Sequence, residues 1–392
     1  EPPKINASDK ENSESDQKII EDAVTDNELI VTSYQVAIDA SRYGEGLYHV
    51  YMDGAAPVIG LTQPSIWFPV VSQRNIKKIE YHVLGWVIIE EVESAGNSGE
   101  ILKLFVQIHE KGSYREREYN LTGSIMEGCP VGPFTIGTMI NEETITTNMD
   151  DFAVIHIPSL VTSDAVTGLD DYKDVDSIIS ELMIRIAQVS IILDKHAAPS
   201  VSGPSSALER DPATKGWRLK MGNYFTRNTK EDPPTEYITW DAELEAAFKQ
   251  IEILTNNLYI ISELGAALLG DFSSTNSGQV PSGTAMRRMM MSALAKVKRV
   301  RMNFDPGIKK AISLYTQISS GKTIEKNKIA ISWQDGLPND PAEQAEIEAV
   351  RTGQKATTSQ ISAIKRLDDV NDEEATGEYE DILTDEKPVE GM

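Results

Sequence analysis

Apolar and polar residues alternate through most of the stretch from residue 30 to residue 160. LIVTSYQVAIDA, GLYHVYMDG and KKIEYHVLGWVIIEEVE are rich in β-branched and aromatic side chains at period two, the signature of strands with one buried face. ILKLFVQIHEKGSYREREYNLTG predicts a hairpin turning at Lys111-Gly112, and FAVIHIPSL predicts a short strand stopped by Pro158.

The period then changes. From Tyr172 to about Asp194, Val175, Ile178, Ile179, Leu182, Ile186, Val189 and Leu193 recur three and four residues apart, which predicts a helix ending before Pro199. A segment without helical period follows, with WRLKMGNYFTRN as strand and turn material up to Pro233 and Pro234. A second long helix is predicted from Asp241, with a stripe from Leu244 and Phe248 to Leu264 and Leu268, stopped by Gly270. The Ser/Gly/Asn-rich DFSSTNSGQVPSG reads as an exposed loop. A third helix follows from Ser282, which Pro306 must end or kink; apolar residues resume at Ile308, and a kink is the preferred reading. KIAISWQDG predicts a strand, and PAEQAEIEAVRTG and TTSQISAIKRL two shorter helices.

Charge changes this picture at both ends. The 392-residue chain carries 61 acidic and 37 basic side chains, net -24, so it lacks the basic footprint on which non-specific affinity for nucleic acid rests. That excludes a DNA-gripping regulator and leaves a surface past which DNA slides. Residues 1–29 and 371–392 are polar and acidic, and both read as largely disordered. Because the chain starts at Glu1 without methionine, it reads as a fragment or processed form. A single cysteine, Cys129, leaves no internal disulfide and fits assembly in a reducing cytoplasm. No apolar run reaches transmembrane length.

Candidate chemistry is sparse. His49, His82, His109, His156 and His196 are scattered without metal-ligand spacing, and no phosphate loop, GxGxxG or GxSxG motif occurs. The reading is therefore a non-enzyme without cofactor or metal. Met286, Met289, Met290, Met291 and Met302 fit adaptable core filling or a helix that repacks during movement. Arg287 and Arg288 fit pairing with acids of another helix or subunit, or contact with DNA phosphates. The basic island Arg210, Lys215, Trp217, Arg218, Lys220, Arg227 and Lys230 is either an ordinary charged surface or a contact for nucleic acid or a motor protein.

The order of these phrases resembles that of the portal proteins of long-tailed double-stranded DNA bacteriophages. FAVIHIPSL followed by GLDDYKDVDSIISELMIRIAQVSIILDKHAAP is similar to the family's strand, Gly-x-Asp-Tyr segment and first stem helix. WDAELEAAFKQIEILTNNLYIISELGAALLG resembles the second channel helix. PSGTAMRRMMMSALAKVKRVRMNF resembles the family's Ser-Gly-x-Ala-x-(Arg/Lys) helix, through Ser282, Gly283, Ala285 and Arg287. ISWQDGLPNDPAEQAEIEAVRTGQKATTSQISAIKRLDD resembles its strand and crown-entry helices.

The resemblance implies an α+β portal fold, with a β-rich wing at 30–169, stem helices at 170–196 and 239–269, and a clip at 197–238. It also implies a tunnel loop at 270–282, a kinked wing spine and strand at 283–337 and a short helical crown at 338–370. The tunnel-loop residues would be Asp271, Phe272, Ser273, Ser274, Thr275, Asn276, Ser277, Gly278, Gln279 and Val280. Glu243, Glu245, Glu252 and Glu263 are the candidate channel-facing acids, and the basic island becomes a candidate docking or DNA-contact surface of the clip. Implied partners are further copies in a closed ring (commonly twelve), the terminase large subunit, the major capsid or scaffolding protein, a head-completion adaptor and DNA passing through, with no membrane. The implied location is a virion capsid vertex, reached from the host cytoplasm during assembly. The alternative is a non-portal virion scaffold or baseplate protein.

Overall fold

A computed structural model describes the chain from residue 3 except for 8–12, 95–96, 198–199, 203–207, 211, 213–214, 220–235, 239–243, 266–286, 334–340, 354–355, 369, 371 and 386–392. Helices and strands both contribute substantially, giving an α+β chain.

Two expectations for the N-terminal region are corrected. Residues 4–7 form a strand, β1 (Lys4–Ala7), and Ser13–Asp26 form helix α1 instead of a disordered lead. The acids of α1 mask a short apolar stripe: Ile20 and Ala23 are fully buried, with Ile19 and Val24 packed beside them. LIVTSYQVAIDA lies within helix α2 (Leu29–Tyr43) and is not a strand. Its β-branched residues suit period two, but the buried positions Leu29, Val36 and Ala40 are seven and four apart, so the helical face wins through packing.

Gly44 ends α2 in the left-handed conformation, φ 80°, and a Cβ there would lie 2.5 Å from the Gly168 carbonyl oxygen. Only glycine allows this approach. The chain continues into β2 (Glu45–Asp53), β3 (Ala56–Leu61) and, much later, β9 (Val154–Pro158), which form a sheet of order β3-β2-β9. This sheet and the two N-terminal helices pack on the second half of α5 (Met291–Ser320). Tyr48, Ile157, Phe304, Ile308 and Ile312 make the centre of that core. The core is closed by β16 (Ile329–Ser332), antiparallel to β1 with Ile5 opposite Ile331.

A five-stranded antiparallel meander, β4 (Trp67–Ser72), β5 (Asn75–Ser94), β6 (Asn97–Glu110), β7 (Ser113–Met126) and β8 (Cys129–Thr146), runs in sequence order. Glu110 faces Ser113, so the hairpin turns at Lys111-Gly112, as its sequence predicts. Among the described residues the near half of the meander meets the core, through Trp67 and Leu84 against Leu47 and Val154. A short pair, β10 (Leu160–Val161) and β11 (Gly168–Leu169), precedes helix α3 (Asp176–Ala197).

Between α3 and α4 (Leu244–Ile261) lie two small antiparallel pairs. One joins β12 (Ser200–Ser202) to β15 (Glu236–Ile238), and the other joins β13 (Leu208–Arg210) to β14 (Trp217–Leu219). The predicted start of α4 at Asp241 and its stop at Gly270 lie outside the described residues; the helix ends at Ile261, before Glu263 and Gly265, both at positive φ. Helix α5 runs without a break through Pro306. Helices α6 (Pro341–Thr352), α7 (Gln360–Leu367) and α8 (Asp372–Asp385) follow. The last corrects the expectation of a disordered tail, because Ala375 is fully buried within an otherwise acidic helix.

Candidate functional site: a helical hairpin and its anchor

Helices α3 and α4 pack against each other, and the β12–β15 pair holds the chain ends that leave and re-enter them. Each helix turns one face inward: Val189 is buried on α3, and Leu244, Ile251, Leu254 and Leu258 are half-buried on α4. Each also has a second apolar face that is exposed among the described residues. Met183, Ala187 and Ile191 form an exposed stripe on α3, four residues apart. On α4 Ile253 and Ile260 lie seven apart, and Ile260 is 73% exposed. Glu245, Lys249, Glu252 and Asn256 make a polar stripe on α4 at spacings of four, three and four, directly beside Ile253 and Ile260. The hairpin therefore carries three kinds of surface: an inner seam, uncovered apolar flanks and a polar line.

Among the described residues the base of the hairpin is pinned to the core around Lys296. Lys296 of α5 pairs with Asp171 at 3.0 Å and donates to the Ser262 carbonyl oxygen at 3.2 Å, just past the end of α4. A cation there satisfies a terminal carbonyl and complements the helix dipole. Asp171 also accepts from the Ser41 hydroxyl at 2.6 Å, which brings in α2. Arg299 pairs with Glu263 beside it. Asp170 accepts from the backbone N–H groups of Tyr172 and Lys173 and so shapes the approach to α3.

This geometry separates the expected site residues. Glu245 and Glu252 share one exposed stripe, with Lys249 between them, whereas Glu263 is held by Arg299 beyond the helix end. Glu243 and the loop residues Asp271 to Val280 lie outside the described residues, as do Ser282, Gly283, Ala285, Lys220, Arg227 and Lys230. Arg210 and Lys215 are exposed at the β13–β14 pair, where the Arg210 side chain donates to the Lys215 carbonyl, and Trp217 and Arg218 lie on β14. Arg287 is exposed on the helical turn before α5.

Sequence spacing did not reveal a cluster that the fold assembles. His49, His82, His109 and His156, distant in sequence, meet between the two sheets. Trp67 donates its indole N–H to His82 Nδ1 at 3.0 Å and stacks on His156, with ring centroids 4.5 Å apart. His109 stacks on Tyr114 and meets the edge of His49, each at 5.0 Å. Burial pushes His82 and His109 down to about 3, so both rings are neutral. Among the described residues no group of His, Cys, Asp and Glu is arranged to hold a metal.

Residues 160–388 match the family described as phage portal protein, SPP1 Gp6-like. The chain is also similar to two solved structures, each with TM-score 0.46 and coverage of 93% of this chain and 85% of the other. They are the virion of a native gene transfer agent particle, at 11% identity, and the neck of an empty gene transfer agent particle computed with C6 symmetry, at 12%. No curated protein matches significantly. The family match covers more than half of the chain, including the hairpin, its anchor and the C-terminal helices, and the chain thus belongs to the SPP1 Gp6-like phage portal proteins, structural components of the virion at its head–tail connection.

Proposed function

We propose that the chain is one subunit of a closed homo-oligomeric portal ring at a capsid vertex, with α3 and α4 as stem helices around the channel. The observation that carries this reading is the uncovered apolar flanks of the hairpin, Met183, Ala187 and Ile191 on one side and Ile253 and Ile260 on the other. A two-helix layer cannot bury both flanks by itself, and identical hairpins side by side would bury each flank against the next. The polar stripe of Glu245, Lys249, Glu252 and Asn256 then faces the lumen, where its two acids disfavour static binding of phosphate while DNA passes.

In this reading residues 197–238 form the clip, which docks the packaging terminase and later a head-completion adaptor. Residues 270–282 form the tunnel loop, the α5 region is the spine of the wing, and α6 to α8 belong to the crown. The chain acts as a conduit for genome packaging and ejection and performs no catalysis itself. Negative-stain imaging of the purified chain tests the proposal. Annular particles with an axial hole are expected; a non-annular assembly would favour a virion scaffold instead.

A further inference from the structure

The far half of the meander has two open edges that run in opposite directions. Strand β4 pairs with β5 only as far as Leu84, and β5 continues to Ser94. Strand β8 is the last of the sheet. Among the described residues, β5 beyond Leu84 and the whole of β8 therefore pair on one side only. Each leaves backbone N–H and C=O groups free to pair with a further strand. Three antiparallel pairings separate β5 from β8, so the two edges are themselves antiparallel.

The side chains across these strands form two apolar rows on one face. Val87, Leu104, Tyr119 and Met139 lie opposite one another, and so do Ile89, Leu102, Leu121 and Ile136. One extra residue of β8 between Ile136 and Met139, a bulge, keeps both on that face. In the middle of the second row Leu102 and Leu121 are buried, whereas at its β8 end Ile136 is 61% exposed, and Met139 is 49% exposed at the end of the first. The rows are thus apolar from one open edge to the other, and they stop because the strands do. Facing stretches of the edges are also free of charge: Gly85–Ile89 on β5 and Phe134–Asn141 on β8. Pro130 and Pro133, which have no N–H to donate, confine pairing on β8 to the part after them.

We infer that the β8 edge of one subunit, Phe134–Asn141, pairs antiparallel with the β5 edge of the next, Gly85–Ile89, joining neighbouring meanders into one continuous sheet. The inference rests on the ring reading above and names a contact for it. Rotation about a single axis makes every neighbour contact head-to-tail, a junction of two unlike surfaces. A copy set alongside in the same orientation brings β8 against β5 with the antiparallel sense of the meander itself. It also extends both apolar rows, Ile136 toward Ile89 and Met139 toward Val87 of the next copy. Pairing of β8 with β8, or of β5 with β5, requires a two-fold axis between neighbours, which such a ring lacks.

Cysteine cross-linking of the full chain tests this contact. Cys129, the single native cysteine, is exposed and is first replaced by serine. Within one chain positions 89 and 136 are three strand spacings apart, about 14 Å, beyond the reach of bismaleimidoethane. In rings of the Cys129→Ser, Ile89→Cys, Ile136→Cys variant the reagent is expected to give a covalent ladder that continues past the dimer, at least ten-fold stronger than with either cysteine alone. Dimers from the Ile136→Cys single variant would reveal two-fold β8 pairing and overturn the inference. Hydrogen exchange of the unaltered chain supplies a second measurement: peptides covering Phe134–Asn141 are expected to exchange at least ten-fold more slowly in the ring than in the monomer. Annular particles with no ladder, or with equal exchange, reject the edge contact and leave the ring reading in place. A wild-type chain that stays monomeric at every concentration rejects both.

Discussion

Lowering the pH from 7.5 to 5.5 should destabilise the β-rich part of the chain by an amount that three histidines set, His49, His82 and His109. His82 and His109 are 4% and 0% exposed, and burial holds both at about 3 and His49 at about 4, far below the usual 6.5. Charges around them reinforce the direction: His156 and Lys310 lower His82, while Asp151 opposes them, and His49 and His82 lower His109. At pH 5.5 the folded rings remain neutral, whereas the unfolded rings are about nine-tenths protonated. Because the unfolded state binds more protons, stability is complete above pH 6.5 and declines as the pH falls toward the folded value. Each of the three rings contributes roughly 1.4 kcal/mol of loss at pH 5.5, together about 4 kcal/mol against a typical total of about 5–15. That sum is insensitive to the folded values as long as they stay below about 4.5.

The assay is urea unfolding followed by tryptophan fluorescence at both pH values, at concentrations where the chain is monomeric. His109→Phe is the informative variant. It keeps the ring against Tyr114 and removes both a titrating group and the buried Nδ1 that has no hydrogen-bond partner. The variant is expected to be folded at pH 7.5 and to show about two-thirds of the wild-type acid loss. If it loses as much stability as the wild type, or if the wild type loses none over this interval, the histidine cluster is not the cause.

Other substitutions probe the ring and its framework. Ile260→Asp places a charge where a 73% exposed isoleucine would be covered by a neighbour. It should forfeit about 1–2 kcal/mol per subunit junction, visible as a ten-fold or greater rise in the concentration needed for assembly, with unchanged monomer circular dichroism. Gly44→Ala forces a side chain into a left-handed position 2.5 Å from the Gly168 carbonyl. A loss of about 2 kcal/mol or more is expected in chemical denaturation, and an unaltered midpoint would show that this crossing yields easily. Deleting Ser273 to Ser277 should leave rings intact but impair packaging or retention of DNA; normal DNA handling in a phage complementation assay would argue against the tunnel role.

Long periodic segments were legible in the sequence. Ile178 through Val189 and Leu244 through Leu258 sit on helices because three- and four-residue spacing survives any tertiary context that buries one face. The Lys111-Gly112 turn was legible for a similar reason, since two strand patterns flank residues that accept a tight reversal. Helix α2 was not, because its β-branched residues satisfy two periods and only contact with α5 and β2 decides between them. The acidic ends were misread as disordered because composition averages over faces. In α1 and α8 a few small or branched residues, Ile20, Ala23 and Ala375, find a packed surface while the acids remain in water.

By itself the sequence determined the succession of β-rich region, helix, small insertion, helix and spine helix, together with the phrases that identify the portal family. These are local properties, encoded in spacing and turn chemistry within a few residues. Tertiary structure decided which distant groups meet: the four histidines between two sheets, Lys296 joining Asp171 to the end of α4, and apolar flanks left open after the chain has packed on itself. Proximity across a hundred residues leaves no periodic trace, because it follows from how complete elements pack and not from the order of side chains within them.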